Sequence, residues 1–383
     1  MQLFYEVGYS QLNKNNEELC GDSVEVTRTR RSTIVTVSDG LGSGVKANIL
    51  SSLTTKMAAT MLKKGSAVDE VIETLVGTLP TCKVRKLAYS TFTVAKLDTD
   101  GSIYIAEYDN PPVMSGSAQA QLDVRFCERE VGEKTIREAR FRAKPGDWLV
   151  IVSDGVLHAG IGGVWNLGWG WDRVSSYVSR LAASGLSADE LAADVTSLCN
   201  RLYGAMPGDD ATCVAIRVRE PRHLALMVGP PADPKDDEIA VQRLLECPGR
   251  KVVAGGTTGN LVARALGKPT TVDLGSCYED VPPTGVIEGI DLVTEGMLTL
   301  VKTLEHLRKN TSLSRFEGRR DGASRLARAL LEADKVHVIV GRAINPAHQS
   351  RDVPAALALK SQLIDDIIRE LRKRQKRVSV EYH

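Results

Sequence analysis

No apolar stretch in the 383 residues is long enough to span a bilayer, and the first residues carry no convincing secretory signal. Neither a membrane nor a secretory route is expected. Charge of one sign is also missing in excess, since 49 Lys and Arg meet 48 Asp and Glu for a net +1. The only basic run, Arg372 to Arg377, reads as the solvated end of a helix, so a nucleic-acid partner is disfavoured. The six His are scattered, and no Cys-x-x-Cys or His-Glu-x-x-His pattern offers a zinc site. Seven Cys, odd in number and irregularly spaced, point to reduced thiols in a cytoplasmic protein.

Against these absences stands a repeated tetrapeptide. Val-Ser-Asp-Gly ends an apolar run at 37 to 40 and again at 152 to 155, and Gly208-Asp209-Asp210 opens a third run that reaches Val218. The richness of these runs in β-branched residues predicts buried strands. Taken singly, each Asp-Gly is also an ordinary turn, because Asp bonds the local backbone and Gly accepts positive φ. Taken together they suggest carboxylates gathered at one rim of a core. Such a cluster repels itself, and a hard divalent cation with all-oxygen ligation, Mg²⁺ or Mn²⁺, relieves the repulsion.

The order Gly21-Asp22-Ser23, Val37-Ser-Asp39-Gly-Leu-Gly-Ser-Gly44, Pro145 to Val156 with Asp154, and Gly208-Asp209-Asp210-Ala-Thr212 resembles the PP2C class of metal-dependent serine/threonine phosphatases. Within that class it is most similar to the bacterial SpoIIE branch, over about residues 1–220. The resemblance implies that Asp39 bridges two metals with the Gly40 carbonyl on one of them, that Asp154 and Asp209 hold one metal, and that Asp22 acts from the other side. Asp210 stands where relatives often have Asn and is expected behind the ligands. Gly21 departs from the pattern, since many relatives outside the branch carry Glu there, and no residue matches the phosphate-binding Arg of eukaryotic relatives.

The chemistry implied is direct hydrolysis by a water activated between two cations about 3.5 to 4 Å apart. No Cys-x5-Arg loop or Gly-x-Ser-x-Gly elbow appears among the motifs, in keeping with a reaction that needs no protein nucleophile. The expected substrate is phosphoserine or phosphothreonine on a bacterial signalling protein, with a STAS-domain protein as the type the resemblance suggests. The rival reading is a catalytically weak signalling scaffold that binds its partner through the same fold.

A helix is predicted from about Lys46 to Lys64, with Leu50, Leu53, Met57 and Met61 at helical spacing as its core face. In the SpoIIE branch the corresponding element is a switch that couples a partner to the metal site, and it makes a homodimer plausible. Strands are expected near 3–9, 23–29, 90–97, 102–108, 122–127 and 138–142, with a hairpin turn at Asp98 to Gly101. Val164 to Asp172 gathers three of the four Trp, as a plug under a loop or as a flap over the cleft. Ser187-x-x-Glu190 is a capping box for a helix ending near Tyr203.

The pattern stops near Val218, and the length suits two cores. The fold class is therefore α+β: a PP2C-like β-sandwich flanked by helices over 1–220, then a separate three-layer α/β domain over 223–383, regulatory or ligand-binding. In that domain strands are expected at 223–228, 251–254, 335–340 and 377–381, alternating with helices. Gly255-Gly256-Thr257-Thr258 turns a strand into a helix and reads either as a capped turn or as a cradle for a small anion. A second loop, Gly341 to His348, and the acidic segments Tyr278 to Asp280 and Glu288 to Gly296 are candidates to complete a pocket beside it. Neither a Walker loop nor a Gly-x-Gly-x-x-Gly fingerprint is present to mark a nucleotide-using enzyme.

Overall fold

The structure, a computed structural model, describes residues 2–78, 90–117, 122, 124–277, 281–309, 313–343 and 353–383. The chain separates into two compact units, Met1–Glu220 and Pro221–His383.

In the first unit the elements run β1 (Phe4–Leu12), β2 (Asp22–Arg28), β3 (Ser32–Asp39), α1 (Gly44–Lys64), α2 (Val68–Thr78), β4 (Phe92–Asp98), β5 (Ser102–Tyr108), β6 (Met114–Ser117), β7 (Phe126–Val131), β8 (Lys134–Arg142), β9 (Asp147–Val152), α3 (Asp154–His158), α4 (Trp171–Ala183), α5 (Ala188–Leu202) and β10 (Ala211–Arg219). They build two antiparallel sheets, ordered β1-β10-β9-β6 and β2-β3-β4-β5-β8-β7. The period of two along a strand divides the core. Val35, Val37, Leu97 and Ile105 meet Leu149, Ile151, Val214 and Ile216 between the sheets. Ile34, Val94 and Ala106, on the opposite face, pack under Ala58, Leu62, Ile72 and Leu75 of α1 and α2. Val150, Val152 and Ala215 pack under Val174, Val178, Leu191 and Val195 of α4 and α5. Helix, sheet, sheet and helix form four layers.

The β4–β5 hairpin turns where expected: Gly101 takes φ +97° and donates to the Asp98 carbonyl at 2.9 Å. The expected strand at 122–127 is displaced to Phe126–Val131, with 121 and 123 outside the described residues. The face of α1 is a correction. Leu53 is 61% exposed and Met57 and Met61 are half-buried, whereas Ala47, Ser51, Thr54, Thr55, Ala58 and Ala59 are buried. Small and hydroxyl residues bring the helix close to the sheet, with hydrogen bonds such as Ser23 to Ser51 Oγ, 2.8 Å, while Met57 and Met61 still pack at the edge of the core beside Ala58, Ala59 and Leu62.

The second unit runs β11 (His223–Val228), α6 (Asp237–Leu245), β12 (Arg250–Ala254), α7 (Gly256–Leu266), β13 (Thr271–Asp273), β14 (Thr284–Val286), β15 (Leu292–Thr294), α8 (Met297–Arg308), α9 (Gly322–Glu332), β16 (Lys335–Val340), α10 (Val353–Lys373) and β17 (Arg377–Tyr382). Its sheet is ordered β13-β14-β15-β12-β11-β16-β17, parallel from β15 to β17. Ala240, Leu244 and Val262 of α6 and α7 cover one face. Leu300, Leu304, Leu326, Leu330 and Ile367 of α8 to α10 cover the other. Burial on both faces explains why β11 and β16 read as unbroken apolar runs. Among the described residues no helix is long and apolar enough to cross a membrane.

Candidate metal centre

Asp22 begins β2 and Asp39 ends β3, and the antiparallel register sets the two directly opposite each other. Packing of the strands therefore fixes both carboxylates at one end of the sheet. Asp22 is 3% exposed. Its Oδ2 accepts from Thr212 Oγ1 at 2.6 Å, and the Thr212 N–H in turn donates to Ser153 Oγ at 2.9 Å. Thr212 lies in β10 and Ser153 follows β9 in the same sheet, so the bond to Asp22 ties the end of one sheet to the end of the other and the bond to Ser153 steadies Thr212 within its own. The other oxygen of Asp22, Oδ1, is buried without a hydrogen-bond partner.

Asp154, at the start of α3, and Asp209, just before β10, supply a second pair. With His158 they offer three ligand atoms within 4.8 Å of one another. His158 Nδ1 lies 3.9 Å from Asp154 Oδ2, one helical turn along. The motif order gave no hint of this imidazole; the Asp-x-x-x-His spacing on a helix was the available signal. Asp210 is buried, and its Oδ1 accepts the Lys14 N–H at 2.9 Å. It holds the β1–β2 loop, and places Lys14 Nζ 4.0 Å from Asp209 Oδ1.

Burial, and after it repulsion from Asp22, Asp154 and Asp209, hold the Asp39 carboxyl well above the ordinary carboxylate range. Burial also raises Asp22, against the lowering effect of its Thr212 and Ser153 donors. Asp209 is raised by burial and by Asp154, with the Asp210 N–H and Lys14 opposing. Carboxylates this close cannot all ionise without a counter-charge. An orphaned Asp22 oxygen, a hard oxygen donor set and one imidazole fit divalent cations.

Gly40 follows Asp39 and bridges to Ser90, while its N–H donates to the Gly21 carbonyl at 3.3 Å. A Cβ on Gly40 would run into the Ala47 carbonyl of α1. The helix thus rests on the backbone of a predicted metal ligand. In the Trp-rich segment Trp169 is buried against Tyr177, whereas Ile161, Val164 and Leu167 are exposed, in the loop that follows α3. Trp169 gives the buried plug, and apolar side chains stand exposed in the same loop.

In the second unit the Thr258 hydroxyl accepts the Gly229 N–H at 3.0 Å, and the Gly255 N–H donates to the Thr294 carbonyl at 2.9 Å. Those two groups serve the turn, while Gly256 and Thr257 are exposed. Asp291 lies where β12 and β15 begin and accepts from the Lys251 N–H, so it is at the far end of the strands from Gly255. Tyr278 to Asp280 lie outside the described residues, as does the Gly341 loop beyond residue 343.

Two packed antiparallel sheets between helix layers, with aspartates gathered at their shared rim, define a PP2C-type phosphatase fold, a metal-dependent class. Residues 29–219 match the profile of Stage II sporulation protein E (SpoIIE), and the first unit belongs to that family. Among solved structures the chain is similar to the PP2C phosphatase domain with a regulatory fragment of SpoIIE from Bacillus subtilis. Identity is 21%, over 57% of this chain and 63% of that one, with a TM-score of 0.48. It thus spans less than two thirds of that relative. It is also similar to the RsbU and RsbW domains of a Mycobacterium tuberculosis protein (18% identity, 63% and 67% of the chains, TM-score 0.46). A third is RsbX in complex with magnesium (18%, 56% and 95%, 0.41). No curated protein matches the chain in sequence.

Proposed function

We propose that the chain is a phosphatase that hydrolyses phosphoserine or phosphothreonine on a phosphorylated regulatory protein, with Mn²⁺ or Mg²⁺ as its cations. The observation that carries this is the convergence of Asp22 and Asp39 with Asp154 and Asp209, tied across the two sheets by Thr212. When bound, a pair of divalent cations supplies an activated water and neutralises the phosphoryl oxygens. Asp39 and Asp22, with the Gly40 carbonyl, would hold the buried side of such a pair; Asp154 and Asp209 would hold the open side, with His158 beside them. Thr212 and Ser153 keep the Asp22 carboxylate oriented, so that its free oxygen is committed before a cation arrives.

A protein substrate suits the exposed Ile161, Val164 and Leu167 beside α3, and family membership favours a STAS-domain type of partner. Val45, Ile49 and Leu53 form an exposed apolar line one turn apart on α1, which suits a regulator or a second copy in a homodimer. The odd count of cysteines suits the cytoplasm. The test is hydrolysis of p-nitrophenyl phosphate and a phosphoserine peptide with Mn²⁺, Mg²⁺ or chelator, for wild type, Asp39→Asn and Asp154→Asn. Metal-dependent turnover lost in both variants is expected. Absence of turnover together with absence of Mn²⁺ binding would leave the scaffold reading.

A further inference from the structure

We propose that the second unit binds a phosphate-bearing small molecule of nucleotide size in an arginine-lined cavity beside α9. The cavity, about 660 Å³, opens between α9 and the start of β12 and β15. That volume lies within the range of small-molecule sites. Five arginines line it against two aspartates. Both aspartates are already engaged, Asp291 with the Lys251 N–H at 2.7 Å and Asp273 with the Gly275 N–H at 3.1 Å. Glu332 holds Arg250 at 2.6 Å and Arg328 at 2.7 Å. Arg319 and Arg320 are left without a carboxylate partner among the described residues.

These two guanidinium groups are carried on an anchored segment. Phe316 is 3% exposed and meets His306 edge to face at 5.5 Å, and the Arg319 N–H donates back to the Phe316 carbonyl at 3.3 Å. On the other side Asp321 caps α9, its Oδ1 accepting from the Ser324 N–H at 2.8 Å. Val252, Leu292 and Ala329 give the cavity an apolar floor for an organic moiety. Arg325 lines the same wall and donates to Thr284 Oγ1 at 3.1 Å. Thr284 packs with Thr294 and Thr299 around Gly322, where the Thr294, Thr299 and Ser324 hydroxyls are buried without partners. Surplus guanidinium forks over an apolar floor match a phosphorylated organic anion, which Arg recognises by paired N–H donors.

Binding of ATP, pyrophosphate, inorganic phosphate and a phosphoserine peptide to the full chain is measured by calorimetry in chelator, which silences the first unit's metal site. Saturable binding of ATP, weakened tenfold or more by Arg319→Ala/Arg320→Ala, restored in part by the Lys pair and unchanged by Thr257→Ala, is the expected result. Equal affinity for pyrophosphate also supports the assignment, with the phosphates as the recognised part. Absence of ATP and pyrophosphate binding at millimolar concentration overturns it. So does ATP binding lost on Thr257→Ala and kept by the Arg pair, which would place the anion at the start of α7. Arg-dependent binding of the phosphopeptide alone overturns it in favour of a protein-docking patch. Unchanged melting of the ligand-free variants excludes misfolding as the cause of a loss.

Discussion

The two units carry opposite charge imbalances, and they carry them at different depths. In the first, like-charged carboxylates are packed at the ends of strands, with Asp22 almost fully buried. In the second, guanidinium groups ring an open cavity, and four of the five arginines are exposed. Depth decides how each imbalance is felt. Buried like charges raise one another's pKa and couple protons and cations to folding, whereas exposed ones are screened by water and salt and cost little until a ligand arrives. Removing charge should therefore relieve the ligand-free first unit and leave the ligand-free second unit almost unmoved.

The largest expected effect separates the carboxylates by function. Asp39→Asn and Asp154→Asn should each lower metal-dependent turnover at least about a hundredfold, because each removes an oxygen that the proposed mechanism assigns to a cation. Asp210→Asn should do far less, since its carboxylate faces the Lys14 backbone N–H and an amide oxygen accepts the same bond. Steady-state hydrolysis across the three variants checks this. Equal losses in all three would place Asp210 among the direct ligands.

Next in size is stabilisation by the cation itself. Mn²⁺ at about one hundred times its dissociation constant should add about 2.7 kcal/mol to the first unit, read as slower amide exchange in β2 and β3. Exchange in β11 and β16 should not move. The proton linkage has the opposite consequence in chelator. Asp22 and Asp39 have folded pKa values raised above the unfolded value of about 4, so the folded state holds more protons than the unfolded one above that pH. Stability of the metal-free protein is therefore lost as pH rises from the ordinary carboxylate range toward the raised values. Asp39→Asn should flatten that slope in urea titrations and stabilise the metal-free protein at pH 8. A slope unchanged by the substitution would mean that other groups carry it.

Much of this site was legible because its residues sit at strand ends, where sequence pattern and position coincide. Asp39 and Asp154 close runs of β-branched residues, and the runs became β3 and β9. His158 was not legible, since a single His five positions into a motif has meaning only once α3 places it over Asp154 and Asp209. The face of α1 misled for a physical reason. Periodicity selects large apolar residues, but close approach to Gly40 and to β2 demanded Ala, Ser and Thr, and it left Leu53 outside. In the second unit the fully buried strands β11 and β16 were plain, whereas β13 to β15 are three residues each and too short for any period to show. The arginine cavity was invisible for a related reason: Arg250 and Arg319 are far apart in sequence and meet only through the packing of α9 on the sheet.

The smallest expected effect returns to depth. Each unit has a long helix started by a side-chain cap: Ser187 on α5, half-buried within a reciprocal box with Glu190, and Asp321 on α9, 5% exposed. Ser187→Ala should cost about 0.5 to 1 kcal/mol, since water can replace the lost acceptor at a partly open helix end. Asp321→Ala should cost nearer 2 kcal/mol, because the buried Ser324 N–H would lose its acceptor where water has little access. Urea unfolding of the two variants measures the difference. The comparison has a second reading in function, because Asp321 directly follows Arg319 and Arg320. Loss of its cap should loosen the guanidinium pair and weaken ATP binding, while Ser187→Ala should leave that binding unchanged. Equal costs for the two caps, with ATP binding intact in both, would show that the arginine segment is positioned by Phe316 alone.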